Sequence, residues 1–357
     1  MPDLAGFLRT AIALGYTVLP ACEPQPESAG LHVDYIFEAG SETLCAGTEA
    51  HIERYLERVI DFFGAETSGD FQVQVHIGGE SACSDSGACY LSAEMTAYVP
   101  RLDIDAHRTS GTLRHELTHA VIDRIWGTST PFFNEGLAEA MSRTQARSAM
   151  DIGMPLPVGG MLGENATMID YTAAAYFTRF LIDTRGLRRF ERLFRESRGR
   201  AQAEIQTLMA EIYDQTFEAL EGEYLAGGPR CLYQLDLCDA EGAVAVDLPY
   251  AIVAPVSCND PDYFGSLSGT DLRIATNRTF ALDVGGSYRL RAMFDASEGS
   301  LDSEVWLIRC GDCSRQAAWE LLGFGSQLDL DAGLYTFAVS TSVEAVLALN
   351  LERVESL

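Results

Sequence analysis

The sequence contains no lysine, and all 25 basic residues among its 357 are arginine. This absence excludes the chemistries that depend on a lysine amine: Schiff-base catalysis, a P-loop phosphate site and a lysine general base. We interpret the absence itself as compositional bias and attach no function to it.

Positive charge of any kind is scarce. The chain has 52 acidic against 25 basic residues and a net charge of -27. A phosphate backbone or an anionic membrane surface would repel so acidic a chain, and we therefore expect no nucleic-acid partner. The 47% apolar content is that of an ordinary globular protein, and on length alone two domains are expected.

No apolar run is long enough to cross a bilayer. Residues 10–21 are nearly all apolar, and this length suits the apolar core of an export signal. Cys22 follows directly, and residues 23–30 are rich in Pro, Glu and Ser, as in a flexible tether. The alternative is a first helix of the mature protein in which Cys22 is an ordinary buried cysteine.

Residues 1–22 resemble a bacterial lipoprotein signal, in which a small residue precedes a cysteine that becomes acylated. Two positions depart from that pattern. Pro20 stands where a small or hydroxylated residue is usual, and Asp3 weakens the positive start. The resemblance implies export and a lipid anchor on Cys22 as the link to a membrane. The expected location is the outer membrane, the cell surface, the periplasm or the medium.

Two different patterns follow this region. Residues 31–228 begin with strand-like alternation and one amphipathic helix, and from about residue 110 the pattern is mainly helical. Two glycines and a proline at 227–229 interrupt it. Beyond them, short alternating runs separated by turn residues predict an all-β sandwich. We expect an α+β domain over 31–228 and a β-sandwich domain over 229–357.

Residues 115–119 read His-Glu-Leu-Thr-His. Positions i and i+4 of a helix lie on one face, so His115 and His119 can bind one zinc ion, with Zn–N bonds of about 2.0–2.1 Å. Glu116 reaches the edge of the same site, where it can act as the general base that activates a water molecule. The alternative is a surface helix that carries this pattern without a metal.

The segments HELTHAVID (115–123) and NEGLAE (134–139) resemble the two zinc-site helices of the gluzincins, the zinc peptidases that include thermolysin and the membrane aminopeptidases. The resemblance implies a zincin-like α+β fold with a small mixed sheet and a helical zinc-binding half. It also implies one catalytic zinc ion with Glu135 as its third protein ligand. Fifteen residues separate His119 from Glu135, a few fewer than in thermolysin, so the connection must be tighter.

Two further carboxylates are candidates for holding the zinc ligands. Glu139 lies one helical turn after Glu135, where it can accept a hydrogen bond from a ligating imidazole, and the resemblance assigns it to His115. Asp123, four residues after His119, is a second candidate for such a contact.

A peptidase also needs an oxyanion donor and a surface for the substrate backbone. Residues 171–181 are predicted to be helical, and the resemblance to the aminopeptidases makes Tyr171, at their start, the donor, with Tyr176 as second candidate. The alternative is that both tyrosines pack in the core. The best candidate for an edge strand that binds substrate is 95–99. The arginines of 186–200 form a solvated face paired with local glutamates, or else reach a substrate carboxylate.

The nine cysteines are an odd number. With Cys22 as the anchor, eight remain, enough for four disulfides in an oxidising compartment. Short separations favour two pairs and permit a third, tighter one: Cys83–Cys89, Cys231–Cys238 and Cys310–Cys313. Cys45 and Cys258 are then left, and nothing in the sequence argues that they meet.

These features predict an exported or membrane-tethered zinc peptidase that acts on a peptide or protein substrate. The segments 278–292 and 330–340 resemble the small β-sandwich domains appended to many secreted bacterial peptidases. An endopeptidase is favoured over an aminopeptidase, because Glu94 is only a weak candidate for recognising a free amino terminus. The alternatives are a catalytically inactive cell-surface binding protein on a zincin scaffold and a zinc hydrolase of a non-peptide amide or ester.

Overall fold

A computed structural model describes most of the chain from residue 31 onward. It covers Cys83, Tyr233, Leu235 and the ranges 31–37, 44–64, 71–78, 88–100, 111–142, 156–163, 168–228, 237–246, 249–266, 273–295, 303–311, 318–320 and 325–354. The expected signal, the tether and Cys22 lie outside the described residues. So do Cys231 and Cys313.

The first part of the described chain contains a small mixed sheet. Its strands are β1 (Leu31–Phe37), β2 (Phe71–Ile77), β3 (Cys89–Leu91) and β4 (Thr96–Val99), in the order β1-β2-β4-β3. β1 and β4 are parallel to β2, whereas β3 pairs antiparallel with β4. The edge strand expected at 95–99 is therefore wrong. A turn at 92–95 folds the chain back, so β4 is paired on both sides and β3 forms the edge.

Seven α-helices accompany this sheet in the described chain. They are α1 (Thr48–Phe63), α2 (Thr112–Ile125), α3 (Pro131–Ser142), α4 (Tyr171–Arg185), α5 (Leu187–Glu196), α6 (Gln202–Tyr213) and α7 (Phe217–Gly227), with a 3-10 turn at Gly159–Met161. None of the described helices is both long and apolar enough to cross a membrane. The alternating face of β2 and the apolar stripe of α1 enter one core with the remaining helices, as their sequence periods predict.

Strands replace helices beyond residue 240. They are β5 (Val244–Ala245), β6 (Tyr250–Val256), β7 (Phe264–Ser266), β8 (Arg273–Leu282), β9 (Gly286–Asp295), β10 (Ser303–Arg309), β11 (Ala318–Glu320), β12 (Ser326–Leu330), β13 (Gly333–Thr341) and β14 (Ala345–Arg353). One sheet has the order β11-β10-β13-β8-β5, with β7 also on β8, and an all-antiparallel sheet has the order β12-β9-β14-β6. Side chains of both sheets share one apolar core. We call this part the sandwich half.

Three disulfides join cysteines of the described chain. The expected Cys83–Cys89 bond is present. The expected bonds Cys231–Cys238 and Cys310–Cys313 are wrong, because Cys238 is bonded to Cys310. Leu237, the neighbour of Cys238, packs with Trp306 and Ile308 of β10, and this packing brings Cys238 to the end of that strand.

The third disulfide was not foreseen from the sequence. It joins Cys45, just before α1, to Cys258 of the sandwich half, across a sequence separation of 213 residues. Both cysteines are buried at 2% and 3% exposure, so the bond lies inside the contact between the two halves. It ties the start of α1 to the sandwich half covalently.

Replacing both Cys45 and Cys258 with serine should lower the free energy of unfolding more than replacing both Cys83 and Cys89. The two bonds close loops of 213 and 6 residues. Since the entropy removed from the unfolded chain grows with loop length, the long-range bond is expected to contribute about 3 kcal/mol more. Chemical denaturation of the two double variants measures the difference, and equal losses would contradict the expectation.

Candidate metal centre

Helix α2 carries both histidines of the HELTH motif on one face. It begins after Gly111, whose φ of +61° suits glycine and whose Cα lies against the end of α3. A Cβ at this position would lie 2.6 Å from the main-chain oxygen of Ser142, so a larger residue would push α2 and α3 apart. His115 and Glu116 are buried, and His119 is half-buried.

Helix α3 brings Glu135 to the two histidines. The connection between α2 and α3 is short, as the sequence predicts. Asn134 stabilises it, because its Oδ1 accepts a hydrogen bond from the main-chain N–H of Ser129 at 2.9 Å. Gly136 then lets α3 approach α4, since a Cβ there would lie 2.7 Å from Thr178 Oγ1 and 2.8 Å from Ala174 O. The residues on either side of Glu135 thus set the position of the helix that carries it.

The three expected ligand atoms form a compact triangle. His115 Nε2 lies 3.0 Å from Glu135 Oε2 and 3.1 Å from His119 Nε2, and His119 Nε2 lies 3.4 Å from Glu135 Oε2. Donor atoms of a tetrahedral zinc site with bonds of about 2.0–2.1 Å are about 3.3 Å apart. The triangle has the size of one face of that tetrahedron. His115, His119 and Glu135 therefore form a cluster compatible with a zinc ion.

Glu139 lies behind this triangle. Its Oε2 is 3.3 Å from His115 Nδ1, and the carboxylate is buried. When His115 Nδ1–H donates to Glu139, Nε2 is left as the atom that faces a metal. This is the arrangement expected for Glu139. Asp123 is placed differently: it accepts a hydrogen bond from Ser92, in the turn between β3 and β4.

His115 and Glu135 shift each other's pKa in opposite directions. Burial lowers the pKa of His115, but hydrogen bonds to Glu135 and Glu139 outweigh it and raise that pKa to about 9. Burial raises the pKa of Glu135, but hydrogen bonds from His115 and His119 lower it to about 2. Both shifts favour the charged forms of the pair, so a cation that binds His115 competes with its proton.

Glu116 lies between the ligands and the edge of the sheet. Burial raises the pKa of its carboxyl group, and the two histidines and a main-chain hydrogen bond from Tyr90 oppose the shift without cancelling it. Tyr90 belongs to β3, so this contact holds the carboxylate beside the edge strand. A buried carboxylate with a raised pKa is suited to taking up a proton.

Tyr171 is the first residue of α4, as the sequence predicts. Asp170 caps the helix by accepting a hydrogen bond from Ala173 N at 2.8 Å. The Tyr171 ring centroid lies 6.1 Å from that of His115, and the side chain is 46% exposed. Burial raises the pKa of its hydroxyl, with the charges of Glu135 and Glu116 adding to the shift, so the group keeps its proton. Tyr176 packs instead against Ala140 and Ala175.

Two of the arginines after residue 186 pair with local glutamates, as predicted, Arg192 with Glu196 at 2.8 Å and Arg195 with Glu191, but Arg195 has a second contact. It pairs with Glu191 at 3.0 Å, and its guanidinium also donates to the main-chain oxygens of Ile125 and Trp126 at 2.8 and 3.0 Å. These carbonyls lie at the end of α2, where they have no partner within the helix. Arg195 therefore stabilises the end of the metal-site helix, a role that its local charge pattern does not reveal.

No protein-family model matches the sequence, and no curated protein matches it. The pre-peptidase C-terminal domain of a collagenase from Bacillus anthracis is 14% identical over 31% of this chain and 94% of that domain, with a TM-score of 0.22. A ruminal GH26 endo-β-1,4-mannanase is 14% identical over 32% of this chain and 27% of that one, with a TM-score of 0.16. At such TM-scores neither likeness carries an inference.

Replacing Glu139 with glutamine should weaken zinc binding about tenfold or more, because the charged partner that orients His115 and makes it more basic is lost. Competition with a chromogenic chelator measures the dissociation constant. The matched control is Asp123→Asn, the same change on α2 at a carboxylate that contacts Ser92. The control should bind zinc as the unaltered protein does, and equal weakening in both variants would contradict the role of Glu139.

Proposed function

We propose that this protein is a zinc-dependent peptidase of the gluzincin type. The triangle of donor atoms from His115, His119 and Glu135, with edges of 3.0–3.4 Å, carries the proposal. The positions of Glu116 and Tyr171 beside it support a hydrolase rather than a purely structural metal site, since structural sites use four protein ligands. A zinc ion held by these residues supplies Lewis-acid polarisation of the scissile carbonyl and lowers the pKa of the attacking water.

Glu116 is the proposed general base. Its carboxylate takes a proton from the attacking water and then delivers that proton to the leaving amine. Burial and the hydrogen bond from the Tyr90 main chain hold it in place for both transfers. Its raised pKa favours uptake of the proton from water, and this is the proton that Glu116 later delivers to the leaving amine.

Tyr171 is the proposed oxyanion donor. Its hydroxyl keeps its proton, its ring lies 6.1 Å from that of His115, and the residue is 46% exposed. We propose that the hydroxyl donates to the carbonyl oxygen of a substrate as that atom develops negative charge. The start of α4 is fixed by the Asp170 cap and by the close α3–α4 contact at Gly136, so the donor is positioned before substrate arrives.

The substrate backbone is proposed to bind along β3. This strand forms the edge of the sheet, and its residue Tyr90 touches Glu116. Main-chain hydrogen bonding to an edge strand tolerates many substrate sequences. Glu94 accepts a hydrogen bond from the hydroxyl of Tyr98 and is exposed. The preference for an endopeptidase therefore remains a proposal from the sequence.

Export is part of the same proposal. Three disulfides in the described chain are typical of extracellular proteins. They support an exported peptidase, with acylation of Cys22 as the proposed link to a membrane.

Purified protein should cleave an unfolded protein substrate, lose activity on chelation and regain it with zinc. Glu116→Gln should bind one zinc ion with near-normal affinity and lose about 10²–10⁴-fold in kcat, because the general base is gone. Metal analysis and initial rates on the same sample test both points. A Glu116→Gln protein that holds zinc and cleaves at the original rate would refute the mechanism.

Tyr171→Phe should lower kcat about 10²–10³-fold with little change in KM, because the hydroxyl acts on charge that develops in the transition state. Tyr176→Phe is the matched control, since it removes the same atom five residues further along α4. The control should retain most of the activity. A larger loss from Tyr176→Phe would transfer the role to that residue.

A further inference from the structure

A buried polar network lies on the side of α2 that faces α1. Arg114 and Thr118 each precede a metal-site histidine by one residue, so they lie about 100° around the helix from the ligands. The Thr118 hydroxyl donates to Arg114 O at 2.7 Å, and the hydroxyls of Tyr55 and Thr118 are 2.7 Å apart. Arg114 Nη2 donates to His51 Nε2 at 2.9 Å. These contacts set the rotation of α2 against α1.

The network is expensive to disturb because it is buried. Arg114 and His51 are 6% and 5% exposed, and Tyr55 and Thr118 are fully buried. A buried polar group that loses its partner costs about 1–3 kcal/mol, and more when it is charged. One rotation of α2 satisfies all four side chains, and the same rotation directs the imidazoles of His115 and His119.

The sandwich half closes this network from outside. The ring of Phe264, in β7, stacks on His51 with centroids 3.7 Å apart and an angle of 8° between the planes. Phe264 also belongs to a small apolar cluster on the outer side of the larger sheet, which contains Leu237, Ala275, Trp306, Ile308 and Ala338. One ring thus packs on the sandwich half and covers the histidine that holds Arg114.

A disulfide and several hydrogen bonds stabilise the contact between β7 and the start of α1. The Cys45–Cys258 disulfide lies beside it, and Gly47 N donates to Tyr263 O at 3.0 Å. Thr48 exchanges hydrogen bonds with both main-chain groups of Gly265 at 2.9 and 3.0 Å.

A second attachment lies almost three turns further along α1. Arg58 Nη1 donates to Leu235 O at 2.7 Å, and Nη2 lies 3.3 Å from Asp239. Leu235 and Asp239 belong to the segment that leads into the sandwich half. The sandwich half therefore holds the start of α1, the segment leading into it holds the second half of α1, and α1 in turn holds α2.

We propose that the sandwich half is a built-in support of the metal centre, in which Phe264 and His51 are positioning residues. Phe264 holds the His51 ring, His51 holds Arg114, and Arg114 sets the rotation of α2 that directs His115 and His119. This inference rests on the proposed zinc site. In this proposal the sandwich half stabilises the geometry of the zinc site, whereas a freely tethered domain would have no effect on that site.

The test uses the full chain with Phe264→Leu and a matched control, Phe280→Leu. Phe280 is equally buried but lies in the sandwich core, against Tyr335 and Phe337. We expect Phe264→Leu to weaken zinc binding about tenfold and to alter the visible absorption spectrum of the cobalt-substituted protein. Phe280→Leu should lower the unfolding temperature and leave the zinc dissociation constant and the cobalt spectrum unchanged.

Two variants of His51 give an independent arm. His51→Phe keeps an aromatic ring against Phe264 but removes the acceptor of Arg114, so it should weaken zinc binding as much as Phe264→Leu. His51→Gln places an amide oxygen where Nε2 was and should recover most of the affinity. This arm decides the question if Phe264→Leu does not fold.

The outcomes separate this inference from the proposed function. Absence of stoichiometric zinc in the unaltered protein would overturn both. Normal zinc affinity and an unchanged cobalt spectrum in Phe264→Leu and His51→Phe would overturn the inference and leave the zinc site standing. Equal weakening by Phe264→Leu and Phe280→Leu would also overturn it, because the effect would then reflect general destabilisation.

Discussion

Two imidazoles and three carboxylates share one poorly solvated cluster, and every charge in it is costly unless it is paired. The members are His115, His119, Glu116, Glu135 and Glu139. Hydrogen bonds to Glu135 and Glu139 raise the pKa of His115, so a positive charge is favoured among these carboxylates, and in the proposed zinc site a divalent cation supplies it. The surrounding elements must therefore hold these side chains in one arrangement, or the charges would separate.

The helices that carry these side chains are held in place by close helix–helix contacts at glycines and by hydrogen bonds at the helix ends. Gly136 brings α3 within contact of α4, and Gly111 brings the start of α2 against the end of α3. Arg195 satisfies the carbonyls at the end of α2, and Asp170 caps α4 just before Tyr171. Each contact fixes a helix that carries a proposed functional residue, so the stability of the local fold and the geometry of the site depend on the same contacts.

Much of the candidate site follows from short-range sequence patterns. Helical spacing places His115 with His119, and Glu135 with Glu139, on shared faces, and the structure brings the two pairs together. The contacts of Arg195 and His51 were not foreseen. A nearby glutamate already accounts for the charge of Arg195, and the amphipathic pattern of α1 already accounts for the burial of His51. The local sequence therefore gives no sign that either side chain has a distant partner.

The sequence by itself determined the helices, the alternating strands and which residues share a face, because those properties repeat every two to four residues. Tertiary structure alone decided that β3 rather than 95–99 forms the edge, that Cys238 meets Cys310, and that Cys45 meets Cys258 across 213 residues. These pairings depend on the path of the whole chain and on which surfaces exclude water together. Closeness in sequence does not encode that path.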